Sequence, residues 1–111
     1  MKLTQKDIVL LAYPFTNLHQ HKVRPALIIS NNTFNEASSD CIMVPITSVI
    51  KEHPFSIAIE KNDVVEGRLI KKSRIRYDKL FAVEKKLVIK KIGVLQQQVF
   101  EDLKKKIIAL F

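Results

Sequence analysis

The sequence predicts a small, mainly β, barrel-like domain ending in an α-helix. Three observations carry that prediction. Short apolar runs recur at regular intervals through the first two thirds of the chain, turn-forming residues separate them, and the last seventeen residues change to a helical period. A length of 111 residues suits one domain over residues 1–111, since single cores most often hold roughly 100–150 residues. With 47% hydrophobic and 27% charged residues, the chain has enough apolar matter for a core, which argues against disorder.

The elements follow in order. Asp7–Tyr13 is a nearly continuous apolar run, Ile8 through Ala12, and reads as a buried strand stopped by Pro14. The polar stretch 16–23, TNLHQHKV, reads as a hairpin loop. Residues 26–30 form a second strand entered through Pro25, where a missing N–H is tolerable. Residues 31–40, rich in Asn and Ser, read as a loop with room for one helical turn. A third strand covers 41–46. Over 55–59, Phe55, Ile57 and Ile59 alternate with Ser56 and Ala58, the period of a half-buried strand with the larger residues inward. The polar linker EKNDVVEG then ends at Gly67, where a turn is expected. Extended segments are predicted near 69–77, 80–83 and 87–93. In the final segment Val99, Phe100, Leu103, Ile107 and Leu110 share one helical face, and no Ser or Asn is placed to cap it.

Composition excludes several function classes. One cysteine cannot build an intramolecular disulfide framework or a Cys-rich zinc module, and Cys41 reads as a small core residue. No apolar run approaches the roughly 18 residues of a membrane span. The first residues, MKLTQKDIVLLAYPF, lack the compact apolar region of a signal peptide, so a cytoplasmic protein with no membrane partner is expected. The charge is uneven. Residues 1–67 hold 6 basic and 7 acidic residues, net −1, whereas residues 68–111 hold 13 and 4, net +9. Such a field favours polyanions, nucleic acid among them, although a lysine-rich surface also serves solubility.

Three stretches put phosphate-binding chemistry at strand ends. Lys22-Val23-Arg24-Pro25 places a guanidinium, a planar fork of donors, where a loop becomes a strand. Pro45-Ile46-Thr47-Ser48 places two hydroxyls after an apolar strand, where they can donate to a phosphate or satisfy a turn. In Lys72-Ser73-Arg74-Ile75-Arg76-Tyr77-Asp78-Lys79, alternation sets Arg74, Arg76 and Asp78 on one face and Ser73, Ile75 and Tyr77 on the other. That first face is either a phosphate-binding surface or a solvated ion-pair face, and Tyr77 reads as core. His19 and His21, two residues apart in the first loop, lack the further ligands a metal would need. A neutral histidine there could still transfer a proton. His53, beside Glu52 and Pro54, reads as loop surface, and Lys104–Lys106 as a solvated helix face.

Taken in order, these stretches resemble the PemK/MazF toxins. The resemblance is carried by Asp7-Ile8-Val9-Leu10, Tyr13-Pro14-Phe15-Thr16, Arg24-Pro25-Ala26-Leu27-Ile28 and Val44-Pro45-Ile46-Thr47-Ser48. It continues through Gly67-Arg68-Leu69-Ile70, Ser73 to Asp78, and Lys91-Ile92-Gly93-Val94-Leu95, and so spans nearly the whole chain. It implies an SH3-like β-barrel of the PemK/MazF/CcdB type with a C-terminal helix, acting as a homodimer. It also implies the toxin half of a type II toxin–antitoxin pair, binding DNA as a complex with its antitoxin. The implied activity is a ribonuclease without metal or other cofactor that cuts single-stranded RNA. The 2′-hydroxyl attacks the adjacent phosphate and leaves a 2′,3′-cyclic phosphate and a 5′-hydroxyl. The implied protein partner is a cognate antitoxin whose extended acidic segment covers the RNA groove.

The resemblance also assigns residues. Arg24 and Thr47 match a catalytic arginine and threonine, and Arg76 and Asp78 match the arginine–aspartate pair of the Kid/PemK branch. His19 or His21 would stand for that branch's loop histidine, although the loop here is shorter and lacks the Glu after it. Arg24 and Arg76 would stabilise charge on the phosphate, Thr47 would donate to it, and Asp78 or a loop histidine would take the 2′-proton. His19, His21, Lys22, Ser48, Lys72, Arg74 and Lys79 are the expected RNA contacts. Two other readings stay open: a non-cutting binder of RNA or antitoxin on the same fold, and a CcdB-like gyrase-binding toxin.

Overall fold

Strands β1 (Asp7–Tyr13), β2 (Lys22–Ile28) and β3 (Asp40–Thr47) form the centre of one antiparallel sheet. The computed structural model describes residues 1–13, 22–48, 51–69 and 71–111. Around that centre lie β4 (Ser56–Ile59), β5 (Val64–Val65), β6 (Ser73–Arg76), β7 (Phe81–Glu84) and β8 (Val88–Leu95). The strand order is β4-β6-β3-β2-β1-β8-β5, with β7 also paired to β3. Helix α1 (Asn32–Ala37) links β2 to β3, and α2 (Gln97–Ile108) ends the chain. The sheet curls into a half-barrel, so the expected barrel-like β architecture with a C-terminal helix is the one observed.

The continuous apolar runs have a simple cause: both faces of the central strands are buried. Ile8, Leu27, Val44 and Ile46 point into one core, with Ile59, Ile75, Tyr77, Leu95, Phe100 and Leu103. Their strand neighbours Val9, Leu11, Ala26, Ile28, Cys41 and Met43 point into a second core, closed by Leu3, Val83 and Val88. Helix α2 covers the first core through Phe100 and Leu103, whereas Leu110 of the expected apolar face stays largely exposed past the helix end. The cap that the sequence lacked is supplied by Gln96, whose side chain accepts the Val99 N–H at 3.1 Å. Burial in the second core raises the Cys41 thiol pKa, as suits a core cysteine.

Several expectations are corrected. The stretch 31–40 is not a loop with a single turn but holds α1, six residues long, capped by Asn31 Oδ1 accepting from Phe34 N at 2.8 Å. Asn35 is buried there and donates to the Ser30 carbonyl at 2.9 Å, which ties the helix to the end of β2. The linker before Gly67 contains a 3₁₀ turn at Lys61–Asp63 and the short β5. Of the extended segment expected over 69–77, strand β6 covers Ser73–Arg76. Strand β4 lies where the alternation over 55–59 placed it, but the burial does not follow that alternation: Phe55 is 44% exposed and Ser56 only 9%. Phe55 sits at the sheet's edge against Tyr77, while Ser56 lies under Arg74. Gly67 approaches β8 so closely that a Cβ would stand 2.2 Å from the Ile92 carbonyl oxygen. No helix among the described residues is long and apolar enough to cross a membrane.

Candidate functional site

Sheet register assembles the polar site. Thr47 on β3 lies opposite Arg74 on β6, and Arg76 on β6 lies opposite Ser56 on β4. Cross-strand partners face the same side, so these four side chains share one face of the sheet. It is the face of Ala26 and Met43, continued beyond the end of the second core. Arg24 joins them because β2 and β3 pair with Ala26 opposite Pro45, which points two further residues along toward Thr47. One alternation therefore fills two cores and then, past their end, delivers polar groups to a single groove.

The groove has a volume of about 460 Å³ and is lined by Arg24, Pro45, Ile46, Thr47, Lys51, Glu52, His53, Ser56, Arg74, Arg76 and Lys79. Its lining carries five cationic side chains against the single carboxylate of Glu52. The guanidiniums are held differently. Arg76 grips Asp78 bidentately, Nε to Oδ1 and Nη2 to Oδ2, both at 2.9 Å. The hydrogen bond from Arg76 holds the Asp78 carboxyl below the usual carboxylate range. Arg74 is held by neutral groups: its Nε donates to Ser56 Oγ at 2.8 Å and its Nη2 to the Ser56 carbonyl at 3.4 Å. Among the described residues neither Arg24 nor Arg74 forms an ion pair. Their charge is thus available to an anion, whereas that of Arg76 is largely balanced.

The expected site residues separate accordingly. Arg24, Thr47, Arg74, Arg76 and Lys79 line the groove, and Asp78 reaches it through Arg76. Lys72 is elsewhere, paired with Glu60 at 3.2 Å beside a different recess. Ser48 is exposed and outside the lining. His19 and His21 lie outside the described residues, as does the side chain of Lys22. Tyr77 is in the core, its hydroxyl donating to the Pro54 carbonyl at 3.3 Å. His53 and Ser56 were not among the expected site residues, yet both line the groove. No sequence signal marked them, because only the placement of β4 beside β6 turns their short segment toward the arginines. Among the described residues no three His, Cys, Asp or Glu side chains converge to hold a metal.

Comparison with known proteins places the chain. Residues 4–111 match the family model of the PemK-like, MazF-like toxins of type II toxin–antitoxin systems. The fold is similar to that in the MazE–MazF crystal structure from Deinococcus radiodurans, with a TM-score of 0.81 at 17% identity over 99% of this chain and 96% of that one. An endoribonuclease in complex with its cognate antitoxin, from a mycobacterial species, gives a TM-score of 0.77 at 15% identity over 96% and 92%. The Mycobacterium tuberculosis toxin MazF-mt6 gives 0.72 at 17% over 91% of each chain. No curated protein sequence matches the chain. At these identities the structures establish a shared fold, and the family match over nearly the whole length establishes the kinship. The chain belongs to the PemK-like, MazF-like toxins of type II toxin–antitoxin systems.

Proposed function

We propose that this toxin is a metal-independent endoribonuclease that cleaves single-stranded RNA. The observation that carries the proposal is the groove itself, where the guanidiniums of Arg24 and Arg74, which form no ion pair among the described residues, flank Thr47 on one polar face. An RNA phosphodiester supplies its own nucleophile, so the protein's contribution is positioning and charge stabilisation. In this reading the 2′-oxygen forms a bond to phosphorus and the bond to the 5′-oxygen breaks. The 2′-proton passes to a base, and the departing 5′-oxygen takes a proton from solvent water. Arg24 and Arg74 stabilise the charge of the five-coordinate phosphate, and Thr47 donates to one of its oxygens. Asp78, kept ionised by Arg76, is a weak proton acceptor and serves to orient that arginine. The 2′-proton acceptor is then a loop histidine, His19 or His21.

The partners follow from the same reading. Single-stranded RNA occupies the groove, and the acidic segment of a cognate antitoxin competes for the cationic surface. The toxin works as a homodimer in the cytoplasm. The deciding experiment incubates mixed-sequence RNA with purified protein in EDTA, beside Arg24→Ala and Thr47→Ala. Fragments ending in 2′,3′-cyclic phosphate, absent with both variants, are expected. Intact RNA from folded wild-type protein would overturn the nuclease reading and leave a non-cutting binder.

A further inference from the structure

Among the described residues His53 supplies the only imidazole in the groove, and its surroundings fix what it can do. Its Nδ1 accepts the backbone N–H of Phe55 at 3.2 Å. A ring nitrogen that accepts a hydrogen bond carries no proton, so the neutral ring bears its proton on Nε2. Among the described residues Nε2 has no hydrogen-bond partner. The backbone is pinned as well: the His53 carbonyl accepts both Ser56 N–H at 3.1 Å and Ser56 Oγ at 2.8 Å. That same hydroxyl accepts from Arg74 Nε at 2.8 Å. One buried hydroxyl thus ties the histidine's backbone to the Arg74 guanidinium, and both residues line the same cationic groove.

We propose that His53 is a substrate-binding residue of this toxin, donating Nε2–H to a phosphate oxygen of the RNA strand next to the one held by Arg74. The inference rests on the nuclease reading above and adds a contact to it. His53 is a donor here and not the proton acceptor of the reaction, because acting as a base through Nε2 would need the proton on Nδ1, where the Phe55 N–H already points. A fixed donor beside a guanidinium suits an oxygen-rich anion and offers nothing to a cation.

The test measures binding of a mixed-sequence single-stranded oligonucleotide carrying 2′-O-methyl groups, which has the phosphates but not the attacking hydroxyl. His53→Ala removes donor and acceptor. His53→Asn keeps an acceptor for the Phe55 N–H but falls short of the groove, and His53→Gln places an amide N–H near the position of Nε2–H. Thermal unfolding checks that each variant is folded. Binding weakened about tenfold in the Ala and Asn variants and within about threefold of wild type in the Gln variant is expected, in line with one hydrogen bond to a charged acceptor. For cleavable RNA the loss should fall on KM more than on kcat. Equal binding by all four proteins would overturn the His53 contact and leave the nuclease reading intact. Wild-type binding by the Asn variant would make His53 a loop-positioning residue, and failure of Gln to rescue would likewise overturn the donor role. A wild-type protein that binds no oligonucleotide would overturn both readings.

Discussion

Removing the Ser56 hydroxyl should unfix Arg74, and the size of that effect follows from the contacts. Ser56→Ala deletes the 2.8 Å bond from Arg74 Nε and the 2.8 Å bond to the His53 carbonyl. Arg74 keeps only the longer 3.4 Å contact from Nη2 to the Ser56 carbonyl. A hydrogen bond to a charged donor is worth about 1.5–3 kcal/mol when buried, and Arg74 is half-buried and can be rehydrated. The coupling between the two side chains should therefore be about 1 kcal/mol. A double-mutant cycle measures it, with urea unfolding of wild type, Ser56→Ala, Arg74→Met and the double variant. For a chain of this length, 1 kcal/mol corresponds to about 4–6 °C in Tm, so heat gives an independent reading. A loosened guanidinium also presents its charge less accurately, and kcat/KM for RNA should fall about tenfold in Ser56→Ala alone. A coupling within about 0.3 kcal/mol of zero would refute the argument that this hydroxyl holds the arginine.

Other consequences follow from the same geometry. Because Asp78 is held below its ordinary pKa, its pairing with Arg76 adds stability above about pH 4 and loses it as pH falls toward the depressed value. Asp78→Asn should accordingly be less stable than wild type at neutral pH, with the difference closing in acid, as urea titrations at several pH values would record. Leu103 is fully buried between α2 and the sheet, and Leu103→Ala should cost about 2–5 kcal/mol, measured by the same unfolding. Gly67→Ala would put a methyl 2.2 Å from the Ile92 carbonyl oxygen, which backbone must relieve. A loss of about 2 kcal/mol or more is expected, and a Tm equal to wild type would show that the turn can open without penalty.

What the sequence made legible follows from period and punctuation. Asp7–Tyr13 could be read as a strand because its nearly continuous apolar run, Ile8 through Ala12, suits a short strand covered on both faces. The alternation from Ser73 to Asp78 likewise placed Tyr77 in the core and Arg74 and Arg76 outside it, as observed. Helix α1 was less visible because its six residues are too few to show a period, and its stability comes from the Asn31 cap and the buried Asn35. Ser56 and His53 were invisible for a different reason. Their part in the groove depends on β4 lying beside β6, a pairing between residues about eighteen positions apart that no local pattern encodes.

The difference between Arg74 and Arg76 shows what structure adds to a charge count. Both project from β6 to the same face, two residues apart, and strand alternation by itself treats them alike. Arg76 meets a carboxylate two residues on, in the bidentate geometry that satisfies a guanidinium most fully. A phosphate approaching Arg76 must share it with Asp78 or displace Asp78. Arg74 meets a neutral hydroxyl, which aims the guanidinium without neutralising it. Attraction for an anion is strongest where positive charge is oriented but not already compensated, because no competing ion pair must first be broken. On that ground the proposed nuclease reading centres an RNA phosphate at Thr47, between Arg24 and Arg74, with the Arg76–Asp78 pair beside it.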